Sequence, residues 1–159
     1  MNNYIKGLRS KFGHAKFICP SARIIVENEN QEVLVIERAD NGKTGIPAGS
    51  LEENETIEAC IIREVREETG IKITALEVIG ISSNPDAETV RYPNGDEIQY
   101  FTVEFYSNRW EGTLKPEDGG EVKSARFASP EIVKQLPDNE RSAFESLAYY
   151  RKEKKIMLK

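Results

Sequence analysis

The stretch from Gly49 to Ile71 reads GSLEENETIEACIIREVREETGI, and the rest of the chain is understood from it. Residues Thr56 to Thr69 have helical character, with Thr56 placed to cap the first turn and Gly70 placed just past the last. On such a helix Glu64, Glu67 and Glu68 stand at i, i+3 and i+4, so their carboxylates share one patch. Like charges that close destabilise a helix by roughly 0.2–0.5 kcal/mol per pair. A solvated acidic face would lie opposite the apolar stripe. Here Ile57 and Cys60 project on the same side as Glu64, so the acids continue the inward face instead. Arg63 and Arg66 can offset part of the repulsion. A divalent cation with oxygen ligands would offset the rest, and Mg²⁺ favours such a donor set.

Outward from this helix, β-branched and apolar residues mark strands at Lys16 to Val26 and Glu32 to Arg38. The Asn28-Glu29-Asn30-Gln31 segment between them reads as the turn of a hairpin. Asn41 to Ser50 is a Gly/Pro loop. Ile71 to Ile81, Ile98 to Ser107 and Glu121 to Ala128 read as further strands, with Ser82 to Glu97 irregular and turning at Asn94-Gly95. Ser129-Pro130 opens a short helix, and Asn139 to Lys155 forms a longer one. At the N-terminus, in residues 1–15, Tyr4, Ile5, Leu8 and Phe12 share a helical face that ends at Gly13. Lys6, Arg9 and Lys11 lie off that stripe and read as a solvated face rather than a nucleic-acid arm. The mixture is α+β, or an α/β sandwich.

Composition narrows the function. The 159 residues suit one domain, 1–159, with 38% hydrophobic and 31% charged residues. The net charge of −5 argues against a nucleic-acid partner. No apolar run approaches the roughly 20 residues of a membrane helix, and the N-terminus lacks the apolar core of a signal peptide, so a cytoplasmic setting is expected. Cys19 and Cys60 read as buried, reduced thiols. A lone histidine, His14, excludes multi-His zinc sites and disfavours His-based nucleophilic mechanisms. Any catalysis must then run mainly on carboxylates, lysines, tyrosines or a metal. Tyr92, Tyr100, Phe101 and Trp110 read as core aromatics before base-stacking ones.

Gly49, Glu55, Arg63-Glu64, Glu67-Glu68 and Gly70, with apolar Val65 and Ile71, fall at every position of the Nudix box. The chain therefore resembles a MutT-like Nudix hydrolase, over about Lys16 to Glu145. The resemblance implies an α/β/α sandwich, a mixed β-sheet flanked by helices. It implies a metal-dependent hydrolase that cleaves the phosphoanhydride of a nucleoside diphosphate linked to another moiety, of nucleoside triphosphate, ADP-ribose or nucleotide-sugar type. Carried over residue by residue, Glu64, Glu67 and Glu68 would ligate Mg²⁺ or Mn²⁺, with the Gly49 carbonyl near the ion. Arg63 would position a glutamate by salt bridge, with Glu55 as partner. The catalytic base would be Glu64 or, from outside the box, Glu121, whose other reading is a surface acid at a strand edge. Arg38 either approaches the substrate phosphates or is a strand-end surface arginine. The resemblance leaves open a homodimer and, as the one nucleic-acid exception, the 5′ end of an RNA. A Nudix-fold sensor that binds nucleotide without cleaving it is the alternative; such proteins usually lose a box carboxylate, and this chain keeps them all. The sequence departs from the family at Thr44, where relatives often carry an aromatic, and at Ala48, where they often carry glycine.

Overall fold

A computed structural model describes residues 3–159. Its strands are β1 (Phe17–Val26), β2 (Val33–Arg38), β3 (Thr44–Gly45), β4 (Ala48–Ser50), β5 (Lys72–Ile73), β6 (Glu77–Ser82), β7 (Thr89–Arg91), β8 (Glu97–Ser107), β9 (Trp110–Glu111), β10 (Val122–Ala128) and β11 (Met157–Leu158). Its α-helices are α1 (Asn3–Phe12), α2 (Ile57–Thr69), α3 (Pro85–Glu88) and α4 (Asp138–Glu153), and Pro130–Gln135 is a 3₁₀ helix.

The largest sheet is mixed, in the order β11-β6-β8-β1-β4, with β7 added to β8. β1 runs parallel to β8 and antiparallel to β4. The side chains of β1 alternate between two cores. Ala22, Ile24 and Val26 join Cys60, Ile61 and Val65 of α2 on one face. Ile25 joins Ile79 of β6 and Ala143 and Leu147 of α4 on the other. The result is the expected sandwich of helix, sheet and helix. The second sheet, β10-β2-β3, contributes Leu34 to the first core and Val33 and Val35 to the second.

The anticipated hairpin between the first two strands does not form. β1 and β2 share only the bridge Glu27–Val33, and then part into separate sheets. Each finds a longer partner, β8 for β1 and β10 for β2. The turn chemistry was local, whereas the pairing was decided by buried faces that a local reading does not see. The single strand expected over Ile71 to Ile81 is likewise two. β5 pairs with β9, and β6 pairs with β8. The loop Asn41 to Ser50 contains β3 and β4, and the irregular segment contains α3 and β7. α3 starts at Pro85, with the Asn84 side chain accepting from Asp86 N–H.

α1 buries Ile5 against Cys19 and Ile98, but Phe12 stays 60% exposed. Arg9 departs from the solvated face expected of it. Its guanidinium donates to the carbonyls of Gly13, Ala15 and Glu97, lies over the Phe17 ring and pairs with Asp96. It pins α1 to the turn between β7 and β8. Lys6 and Lys11 are exposed as expected.

Between the large sheet and α4 lies a buried ionic cluster that was not anticipated. Arg23 of β1 pairs with Glu88 of α3 and, at 3.1 Å, with Glu104 of β8. Glu104 also accepts from Ser146 at 2.5 Å and from Lys159 at 3.1 Å. All three members of the triad are at most 3% exposed. Such charges are tolerated because each is matched, and removal of one leaves the others buried and uncompensated. Arg23→Met should therefore destabilise the fold by about 3–5 kcal/mol in urea unfolding. A change within about 0.5 kcal/mol, the scale of an ordinary surface substitution, would show the cluster to be inert.

Candidate functional site

α2 begins as its sequence suggests. The Thr56 hydroxyl accepts from Ala59 N–H at 3.2 Å, and Gly70 closes the helix with its N–H on the Arg66 carbonyl. Its buried residues are Cys60, Ile61, Val65, Glu68 and Thr69. A carboxylate thus shares the inward stripe with the apolar side chains. Burial pushes the Glu68 carboxyl well above the ordinary range, and the neighbouring charge of Glu64 adds to the effect. Burial likewise raises Glu64, to about 7, against the pull of Arg63, with Glu67 and Glu121 adding repulsion.

Arg63 is the counterweight. Its guanidinium donates to both oxygens of Glu55, at 2.8 and 3.0 Å, and to Glu64 at 2.8 Å. It reaches Glu67 at 3.4 Å and the Ser50 carbonyl at 3.3 Å. Its pKa is raised chiefly by the hydrogen bond to Glu55, and that bond in turn lowers Glu55. One guanidinium therefore ties α2 to the loop before it. Cys60 lies beside this group, where burial and then the Glu55 charge push its thiol up to about 12. It is an inert packing thiol, as anticipated.

The loop that enters the helix is held from several sides. Ile24 N–H donates to the Pro47 carbonyl at 3.0 Å, and Ala48 N–H donates to Glu68 at 3.2 Å. A Cβ on Gly49 would run into the Glu64 carboxyl, so glycine makes the cradle in which that carboxyl lies. The Gly49 carbonyl receives a long contact, 3.9 Å, from Cys60 Sγ.

Glu121 precedes β10 and is exposed, as a strand-edge acid would be. Its carbonyl accepts from Ala39 N–H at 2.9 Å, and its charge raises both Glu64 and Glu68. The fold thus carries it to the box carboxylates across the gap in sequence. Arg38 closes β2 and pairs with Glu140 at 2.5 Å. Burial disfavours its charge, but Glu140 and then Glu68 hold its pKa up. It is more than a strand-end arginine, because it stands within the field of the same carboxylates. Of the aromatics weighed earlier, Trp110 stacks on Phe127 at 5.1 Å and Tyr92 hydrogen-bonds Tyr100 at 3.1 Å, both as packing. Phe101 alone among them is exposed, at 43%.

Glu64 and Glu67 share the Arg63 guanidinium here. Among the described residues no three ligand-type side chains stand in metal-holding geometry. The donor chemistry nevertheless fits a hard divalent cation. Every donor is an oxygen, and Glu64, Glu67, Glu68 and Glu121 outnumber the cations left over after Arg63 pairs with Glu55 and Arg38 with Glu140. The residue that sequence reasoning missed is Glu140. Nothing in the run Pro137 to Arg141 separates it from an ordinary first-turn acid.

The family and the fold are shown by similarity to known proteins. The NUDIX domain family model matches residues 18–150. A MutT-like protein of Streptomyces ambofaciens is 45% identical over 60 residues, covering 38% of this chain and 39% of that one. An ADP-ribose pyrophosphatase of Methanocaldococcus jannaschii is 34% identical over 106 residues, covering 65% and 57%. The chain thus spans less than two thirds of the length of these curated relatives. Among solved structures, the NUDIX domain of Shewanella oneidensis NrtR complexed with ADP ribose shares the fold at a TM-score of 0.65 and 16% identity, covering 98% and 100%. The chain belongs to the NUDIX domain family. No helix among its described residues is long and apolar enough to cross a membrane.

In the metal-free protein, Glu64 and Glu68 hold their protons more tightly than an unfolded chain would. Their protonated forms favour folding; for Glu64 that advantage is lost as pH rises from 4.5 through about 7, and for Glu68 it is lost as pH rises through its own raised pKa. Glu64→Gln should stabilise the metal-free protein at pH about 8, by about 1–3 kcal/mol in urea unfolding, and do little at pH about 4, and Glu68→Gln should act in the same direction. Destabilisation at pH about 8 would contradict this burial of charge.

Proposed function

We propose that this NUDIX-family chain is a pyrophosphohydrolase dependent on Mg²⁺ or Mn²⁺, acting on a nucleoside diphosphate linked to another group. The observation that carries the reading is the excess of buried carboxylate around Glu64 and Glu68, next to the Gly49 cradle. A protein of net charge −5 needs a bound cation to receive a pyrophosphate. Glu64, Glu67 and Glu68 would hold it, with the Gly49 carbonyl alongside. When bound, such an ion neutralises phosphate oxygens and lowers the pKa of a water.

The chain's own groups do the rest. Water oxygen bonds to one phosphorus as the bridging P–O bond breaks, and the water's proton passes to a carboxylate. Two carboxylates can accept it, Glu64 inside the box and Glu121 outside. Arg63 keeps Glu55 and Glu64 in place, and Arg38 presents donors to the phosphate oxygens. The ADP-ribose pyrophosphatase relative supports a nucleotide-type substrate, with ADP-ribose among the candidates.

A hydrolysis panel tests this reading. It should hold nucleoside triphosphates, ADP-ribose, nucleotide sugars, a dinucleoside polyphosphate and a 5′-capped RNA, each with Mg²⁺, with Mn²⁺ and with EDTA. The expected result is turnover of one class that EDTA abolishes. Glu64→Gln and Glu68→Gln should each lower that turnover by about 10²-fold or more. A comparable loss in Glu121→Gln, with the pH profile altered, would make Glu121 the base. Tight nucleotide binding without turnover would replace the enzyme by a sensor.

A further inference from the structure

We propose that Glu140, on the first turn of α4, is a positioning residue for this site. It aims Arg38 and sets the height of the loop that enters the box. The inference rests on the reading of Arg38 as a phosphate contact.

Glu140 is only 5% exposed, and each of its oxygens is committed. Oε1 accepts from Arg38 Nη2 at 2.5 Å, and Oε2 accepts from Ile46 N–H at 2.7 Å. Space for both is made by Gly45. A Cβ there would stand 2.8 Å from Arg38 Nη2 and 2.9 Å from Glu140 Oε2, too close for either to stay. The same short segment is gripped again at Ala48, whose N–H donates to Glu68. Glu140 and Glu68 therefore hold residues 46–48 from two helices, α4 and α2.

The ionic partition matters as much. Arg38 feels Glu140 first and Glu68 second. Without Glu140 its nearest strong attraction would be Glu68, a carboxylate assigned to the cation. A guanidinium drawn there would compete for that oxygen and withdraw its donors from substrate. With Glu140 in place, one face of the guanidinium is tethered and the remaining donors stay available. The carboxylate comes from a helix 102 positions further along the chain than Arg38, so the site is completed only when α4 docks.

The test uses Glu140→Gln, Glu140→Ala, Arg38→Gln and the double variant Glu140→Gln/Arg38→Gln, assayed on whichever panel member the unaltered protein hydrolyses. Glutamine keeps an oxygen for Ile46 N–H but loses the charge that holds Arg38. Its KM should rise about tenfold or more while kcat stays within about threefold. The double variant should match Arg38→Gln alone, because Glu140 acts through Arg38. Glu140→Ala should lose kcat as well, since the loop is released. An unchanged KM in Glu140→Gln, or effects that multiply in the double variant, would overturn the proposal. Absence of turnover in the unaltered protein would sink the proposed activity instead. The Ile46 amide then decides this proposal by hydrogen exchange. Faster exchange in Glu140→Ala than in Glu140→Gln supports it, and equal exchange in both overturns it.

Discussion

Carboxylates placed side by side and shielded from water repel one another unless a cation or a proton intervenes. α2 accepts that penalty on its inward stripe, where Glu68 takes a position that an apolar residue would fill more cheaply. Much of the surrounding structure manages the consequence. Arg63 spreads its charge over Glu55, Glu64 and Glu67. Ala48 N–H faces Glu68, and Gly49 leaves room for Glu64. The arrangement is strained electrostatically and ordered geometrically, which is the combination a cation-binding site requires.

The fold supplies the convergence. β1 carries the α2 core on one face and the α4 core on the other, so both helices are referenced to one strand. Because β2 leaves β1 after a single bridge, the chain between β2 and β4 can cross from the second sheet to the first. The approach loop makes that crossing, and Pro47 is fixed to Ile24 as it does so. β10, paired to β2, brings Glu121 alongside Arg38 and Ala39. The site is thus assembled at the seam of two sheets and two helices: α2 contributes Glu64, Glu67 and Glu68, α4 contributes Glu140, the second sheet contributes Arg38 with Glu121 just before β10, and the large sheet contributes the backbone of β4.

Much of this was legible in the sequence, for physical reasons that vary by element. The α2 boundaries follow from local chemistry, a threonine cap and a terminal glycine, and need no tertiary information. The inward direction of Glu64 and Glu68 follows from helical period alone, whereas the Glu67 side chain stays 44% exposed. The Arg63–Glu55 pair came through the family resemblance, and the structure places the two side chains in contact. Pairing of β1 was not legible, since an Asn-rich turn looks the same whether or not the flanking strands stay together. Arg23 was a missed signal. A charge in the middle of the run Ser21 to Val26 required a buried partner, and Glu88 and Glu104 provide it from distant segments. Arg9 and Glu140 were opaque for a similar reason. Each looks like a solvated helix residue until the element it pins is placed against it.

The central claim is that the carboxylate excess on α2 exists to hold a divalent cation. Titration of the metal-free protein with Mn²⁺, with free ion followed by electron paramagnetic resonance at pH about 7.5, tests it directly. A cation site predicts saturable binding that Mg²⁺ displaces, weakened about tenfold or more by Glu68→Gln and unaltered by substitution of the exposed Glu58 on the same helix. Absence of binding in the unaltered protein, or equal binding after Glu68→Gln, would contradict it.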